Sequence, residues 1–380
     1  MSRLFFLFII VYIAKASSQT DGALAIGDSL YALGNYDRAI TYYEKAPSTS
    51  IQKSKIAKTY KAKGNNKKAL QYYKDAVTKN PDAVISVYNY GKLALDAGKL
   101  TIADSVFELL SKKYPNNLNY TYQKGLVQEA KRDSMSFMTF MFIALKDSTH
   151  LNAAYKVARR LVTKRNFNNA MPYIERGLEA DPESIRFLTL KALVAYYSKN
   201  YHLSIKIFEK LLSLNQSNEQ LHENLAISYV QTNQFENAIE QYTILINEFN
   251  DKSPSWHFAL GNAYSALRYF DKAIRHIEIA LVLQDVSLER EYLALATIYK
   301  RQKDYKLVFE MMQKAVGENP SSDTLQYQLA ISADTYFEDK ASVISYYERY
   351  ISKFGEKGNY IELAKQRVSD LKNELHLSKD

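Results

Sequence analysis

The chain has 380 residues, a formal net charge of +9 at neutral pH, 12 glycines, 7 prolines, 31 tyrosines and no cysteine. That length exceeds one ordinary hydrophobic core, so two domains or a repeat array is expected, and the scarcity of Gly and Pro favours helices over a turn-rich β architecture. The lack of cysteine excludes a disulfide framework, a thiolate metal site and a cysteine nucleophile.

In chain order, the first segment reads MSRLFFLFIIVYIAKASSQ. One basic residue, Arg3, precedes an apolar run from Leu4 to Ala14, and Ala14-Lys15-Ala16 has the small-x-small form of a signal-peptidase site. Residues 1–16 are therefore expected to be a cleaved secretory leader. The run is too short to cross a bilayer core of ~30 Å as a helix, so no transmembrane segment is expected in the mature chain. No cysteine lies near the cut, so a lipoprotein is not expected either. The expected location is periplasmic or extracellular.

From residue 17 the chain repeats itself. LGNYDRAITYYEKA at 33–46 returns as KGNNKKALQYYKDAVTKNP at 63–81. Aligned on the small residue before the aromatic pair, the matching positions are Ala39, Ala69, Ala103, Phe137, Ala170, Ser204, Ala238, Ala273, Val308 and Ser342, spaced 30 to 35 residues apart. Twelve residues before each anchor stand Gly27, Ala57, Gly91, Gly125, Ala158, Ala192, Ala226, Gly261, Ala296 and Ala330. A column restricted to Gly and Ala marks a place where two backbones approach closely. Turn residues such as Gly34-Asn35 and Ala97-Gly98 sit between the two columns, and Pro81, Pro115, Pro182 and Pro320 open following units. Each unit thus reads as helix, tight turn, helix, with apolar residues three and four apart on both helices.

This pattern resembles the tetratricopeptide repeat over about residues 20–356. The resemblance implies an all-α, right-handed α-solenoid of about ten helix-turn-helix repeats, spanning 17–356. It is strongest at the units anchored on Ala39, Ala69, Ala103, Ala170, Ala238 and Ala273. It is weaker around Phe137, where Met135, Met138 and Met141 replace the usual residues, and around Ser342, where Arg349 takes the closing small position. Residues 357–380 are expected to hold a capping helix and a tail, because repeat arrays need an end unit with a polar outer face.

In such repeats the first helix of each unit lines the concave face, through positions fifteen, eleven and eight residues before the anchor. The first of these carries Tyr88, Tyr122 and Tyr155; the second Lys58, Lys92 and Arg159; the third Lys61 and Tyr196. Rings beside cations suit an extended peptide, because rings supply contact area at low entropic cost and cations hold carboxylates. With so many tyrosines in the chain, the same ladder also arises from abundance alone. Residues 51–79 carry nine lysines against one acid, Asp75. That run fits either a solvated lysine face or a patch for an anionic partner.

Chemistry is not legible in the sequence. The six histidines are scattered, His222-Glu223 is followed by Asn-Leu-Ala rather than a zinc-binding second His, and neither G-x-S-x-G nor G-x-G-x-x-G occurs. The expectation is a non-enzymatic scaffold with no cofactor and no metal, binding a protein or peptide in its groove. The alternative is an anionic envelope polymer, peptidoglycan or polysaccharide, held through the lysine-rich second repeat and the Tyr/Lys groove. Nucleic acid is not expected in view of the leader.

Overall fold

The computed structural model describes residues 22–283 and 287–377; the expected leader lies outside them. Among the described residues there are 21 α-helices and no strand. They follow one another as pairs. Helix α1 (22–32) precedes α2 (Tyr36–Glu44), α3 (Ser50–Ala62) precedes α4 (Asn66–Lys79), and α5 (Val84–Asp96) precedes α6 (Leu100–Lys113). The fourth and fifth pairs are α7 (Leu118–Ala130) with α8 (Met135–Lys146) and α9 (Leu151–Thr163) with α10 (Phe167–Ala180). Next come α11 (Ile185–Tyr197) with α12 (Tyr201–Ser213), α13 (Glu219–Gln231) with α14 (Phe235–Ile244), and α15 (Pro254–Ala266) with α16 (Phe270–Leu283). The last two pairs are α17 (Glu289–Gln302) with α18 (Tyr305–Glu318) and α19 (Asp323–Tyr336) with α20 (Lys340–Phe354), followed by α21 (Ile361–Leu377). The chain divides into two compact units with the boundary between Phe187 and Leu188.

The turn inside each pair is closed by one residue in the left-handed region, five residues before the anchor. It is glycine in the first three pairs (Gly34, Gly64, Gly98), then Arg132, Arg165, Lys199, Asn233, Arg268 and Lys303. The following amide bonds back to the helix carbonyl five residues earlier, as in Asn35 N–H to Leu30 O at 2.8 Å and Asp133 N–H to Gln128 O at 2.8 Å. This closure satisfies carbonyls that the helix end leaves without partners. A side chain in that conformation costs roughly 1–2 kcal/mol that glycine avoids. The tenth pair departs from the rule: Phe337 ends α19 in extended backbone, and Asp339 caps α20 by accepting from the Ala341 and Ser342 amides.

Packing within a pair is decided by the small columns. Ala39, Ala57, Ala69, Ala103, Ala170, Ala226, Ala238 and Ala273 are all fully buried. At Gly91 a Cβ would meet Val106 Cγ1 at 2.5 Å, and at Gly261 it would meet Ile277 Cγ1 at 2.7 Å and the Ala273 carbonyl oxygen at 3.0 Å. Gly27 lies under the Tyr43 ring and Gly125 under the Phe140 ring. Gly177, outside both columns, makes the same kind of room for the Phe187 ring.

Each compact unit has its own core. In the first, Val87, Phe107, Leu110 and Val127 form one cluster, and Phe140, Ile143, Ala153 and Val157 form another. In the second, Leu295, Phe309, Met312 and Leu325 pack together. Helix α21 lays Ile361, Ala364, Val368 and Leu371 against Tyr347 and Tyr350 of α20. Its outer edge is polar: Arg367 holds both oxygens of Asp334 at 2.7 and 3.0 Å and reaches Glu374 at 3.2 Å. Among the described residues no helix is long and apolar enough to cross a membrane.

Candidate functional site

Tyr88, Tyr122 and Tyr155 of the first compact unit are half-buried and wedge between successive pairs. Tyr88 stands edge-on to Phe107 of its own pair at 5.9 Å and tilts against Tyr120 of the next at 5.9 Å. Tyr122 does the same with Phe140 at 5.4 Å and His150 at 5.0 Å, and burial pushes its hydroxyl above the usual tyrosine range. Tyr155 meets Phe187 edge-on at 5.8 Å, with the Arg186 guanidinium over its face at 5.4 Å. These rings bury much of their area in the junctions and leave an edge accessible, because position fifteen before the anchor points at the seam between neighbouring first helices. Tyr196, the remaining aromatic of the expected set, belongs to the second compact unit and packs on Tyr197 at 5.2 Å.

The cations of the lysine-rich pair are largely engaged within the chain. Lys58 sits over Tyr31 at 4.7 Å, Lys61 is 3.8 Å from Asp96, and Lys55 holds Asp28 at 2.7 Å. The Asp28 carboxyl lies below the usual range; burial opposes this, but the bonds from Lys55 and the Tyr43 hydroxyl and the charges of Lys55 and Lys58 outweigh it. Lys63 pairs with Asp37, and Lys53 and Lys68 cover the rings of Tyr72 and Tyr60 at 5.1 Å each. Lys67, Lys74 and Lys79 have neither a carboxylate nor a ring partner among the described residues, and the same holds for the exposed Lys92.

Around Arg159 the balance differs. A cavity of about 580 Å³ opens between α7–α8 and α9, lined by Glu129, Arg132, Phe140, Lys156, Arg159 and Arg160 among others. Glu129 serves two cations, Lys156 at 2.5 Å and Arg159 at 3.1 Å. Arg132 and Arg160 have no carboxylate partner among the described residues, and Asp133 is committed to the Met135 amide at 2.9 Å. The cavity therefore carries excess positive charge. It is bordered by α8, whose Met135, Met138, Phe142 and Leu145 form an exposed apolar stripe at helical spacing. The all-round apolar run SFMTFMFIAL foreshadows that stripe; nothing in the sequence foreshadows the sharing of Glu129.

The second compact unit has a different cavity, of about 510 Å³, between α13–α14, α15 and the start of α17. Phe235, Tyr242, Phe258, Asn262, Arg290 and Glu291 line it. Glu291 is 2% exposed, and its Oε2 has no hydrogen-bond partner. The sequence shows Glu291 only as one of many acids in a helix first turn.

Comparison with known proteins bears on the repeat itself. Tetratricopeptide-repeat family profiles match residues 22–46, 54–117, 185–218 and 256–286. A TPR repeat-containing protein of Methanocaldococcus jannaschii is 22% identical over 252 residues, 62% of this chain and 43% of that protein. An uncharacterized protein of Sinorhizobium fredii is 25% identical over 95 residues, 25% of this chain and 50% of that protein. The matched regions thus span half or less of the curated relatives' length. Among solved structures, a tetratricopeptide repeat protein from Parabacteroides merdae (18% identical, 66% of this chain, 98% of that chain, TM-score 0.45) is similar. So is yeast Tom70 (15% identical, 97% of this chain, 98% of that chain, TM-score 0.38). The matched tetratricopeptide-repeat profiles thus fall on the helix pairs α1–α2, α3–α4, α5–α6, α11–α12 and α15–α16.

Proposed function

We propose that the chain is a non-enzymatic scaffold that binds another protein through the inner faces of its repeats, and that it works in the cell envelope or outside the cell. The leader-like residues 1–16 support that placement. In the first compact unit the bound element is an extended, acidic segment of the partner. It lies across the accessible edges of Tyr88, Tyr122 and Tyr155 and delivers carboxylates to the cations near Arg159.

The observation that carries this reading is the cavity where Lys156 and Arg159 share Glu129 while Arg132 and Arg160 stand unpaired. Guanidinium groups hold carboxylates bidentately, so two unpaired arginines at one cavity are a ready acceptor for an acidic side chain. The lysine run of 51–79 supports an anionic polymer less well, because six of its nine lysines already have a carboxylate or a ring.

Affinity capture from envelope extract, with the C-terminally tagged chain at low and moderate salt, tests this. Exposed charge pairs weaken with salt, whereas partly buried contacts survive. The expected result is a discrete protein captured at low salt, weakened but still retained at moderate salt, and lost with Arg132→Gln/Arg160→Gln, whose arginines are exposed. Anionic polymer alone, released by moderate salt, would replace the protein partner with a polymer.

A further inference from the structure

The cavity of the second compact unit has the opposite demand. A buried carboxylate without a partner is costly in a folded protein, and Glu291 presents one to a cavity large enough for a side chain. Its neighbour Arg290 does not neutralise it: that guanidinium lies over the Phe258 ring at 4.9 Å, with no carboxylate partner among the described residues. A second carboxylate, Glu223, stands close by, accepting from the Trp256 indole N–H at 3.1 Å. Burial, and after it the charge of Glu223, raises the Tyr242 hydroxyl above its ordinary range. Among the described residues, Glu291 is thus the one carboxylate lining the cavity, unpartnered beside an Arg290 guanidinium engaged on a ring, between the rings of Phe235, Tyr242 and Phe258.

Glu291 therefore asks for a cationic partner, and the shape of the site selects which. A lysine ammonium is a strongly hydrated point charge, whereas a guanidinium is planar, weakly hydrated, stacks on rings and gives a carboxylate two parallel donors. We propose that this cavity is a subsite for an arginine side chain of the bound partner, with Glu291 as its carboxylate; this rests on the reading that the inner repeat faces bind a peptide. Glu291 Oε2 accepts from the guanidinium, and the rings flank its plane. Asn262, exposed at the rim, is placed to meet the partner's main chain.

The test uses the whole chain and three probes: acetyl-Ala-Arg-Ala-amide, its citrulline counterpart, and acetyl-Ala-Lys-Ala-amide. Citrulline keeps the shape of arginine and removes the charge. Binding is read by titration calorimetry and by the fluorescence of Trp256, the chain's one tryptophan, on the helix that carries Phe258. The arginine peptide should bind about tenfold more tightly than the citrulline peptide, with the lysine peptide between them. Glu291→Gln, nearly the same in shape, should abolish the difference. Equal binding of the arginine and citrulline peptides to the unaltered chain overturns the proposal even if Glu291→Gln fails to fold. So does an arginine preference that survives in Glu291→Gln, or no binding of any probe. The Arg132→Gln/Arg160→Gln capture concerns residues of the other compact unit, so failure of the subsite and failure of the scaffold reading are told apart.

Discussion

The two cavities are built from the same repeat positions and end with different charge: the first is lined by an excess of cations, the second by one arginine and one glutamate. Glu129, Lys156, Arg159 and Arg160 in the first compact unit correspond, counted from their anchors, to Val230, Ala259, Asn262 and Ala263 in the second. In the first, the three long cations at these positions line the space and Glu129 is satisfied by two of them. In the second, a valine, two alanines and an asparagine supply no cation, so a carboxylate arriving from the next pair, Glu291, finds no partner. The helix frame supplies the location; side-chain charge at four positions decides whether it is a cationic site or a site whose carboxylate lacks a cation.

The frame is the first thing to break. Gly261→Leu should cost about 1–3 kcal/mol or more, because its side chain meets the Ala273 carbonyl as well as Ile277 and backbone cannot rotate away. At Gly91 the nearest atoms are the side chains of Val106 and Phe107, which can shift, so Gly91→Leu should cost less. Denaturant melts of both variants check the order; equal losses would mean that close backbone approach is not what the small column answers. A graft sharpens the comparison next. Ala259→Lys/Asn262→Arg places the cations of the first unit in the second, and should weaken binding of the arginine peptide about tenfold by giving Glu291 a partner within the chain. Calorimetry on the double variant decides, and undiminished binding would show that the missing cations are not what opens the site.

The smallest effect is proton-linked and belongs to the second unit. His257 donates from Nε2 to the Asp251 carbonyl at 3.0 Å, which leaves its Nδ1 to accept from His276 Nδ1 at 3.1 Å. Burial, then the charges of His257 and Arg275, holds the His276 imidazole below the ordinary histidine range, and Tyr264 stacks on it at 5.7 Å. The unfolded chain therefore takes the proton more readily. The stability from neutral His276 is complete above a pH of about 6.5 and is lost as pH falls through that value toward the folded one. Melting temperature should fall modestly between neutral and mildly acidic pH, and His276→Gln should flatten that part of the profile. An unchanged slope in the variant would assign the loss to other groups.

How much of this was legible depends on whether a feature is carried by one position or by an encounter. The all-α repeat pattern could be read because every pair asks for the same small residues at the same spacing, and Gly or Ala is the only answer to a close approach. The left-handed turns could be read at Gly34, Gly64 and Gly98 but not at Arg132 or Arg268, where an arginine tolerates the conformation at a cost and leaves no mark on the pattern. Gly177 escaped because it makes room for Phe187 of the next helix, a contact outside the repeated columns. The lysine run of 51–79 looked like an open basic face; the aspartates and tyrosines that absorb most of it come from neighbouring helices.

The sequence by itself determined the helix pairs and their period, since these follow from local periodicity and turn chemistry. Only the tertiary structure decided that Tyr88, Tyr122 and Tyr155 are wedges as well as a surface, that Glu129 is satisfied twice, and that Glu291 is buried without a partner. The physical reason is that charge and packing are settled between residues about thirty positions apart. A carboxylate's fate depends on the length of side chains that only the stacking of one pair on the next brings within reach.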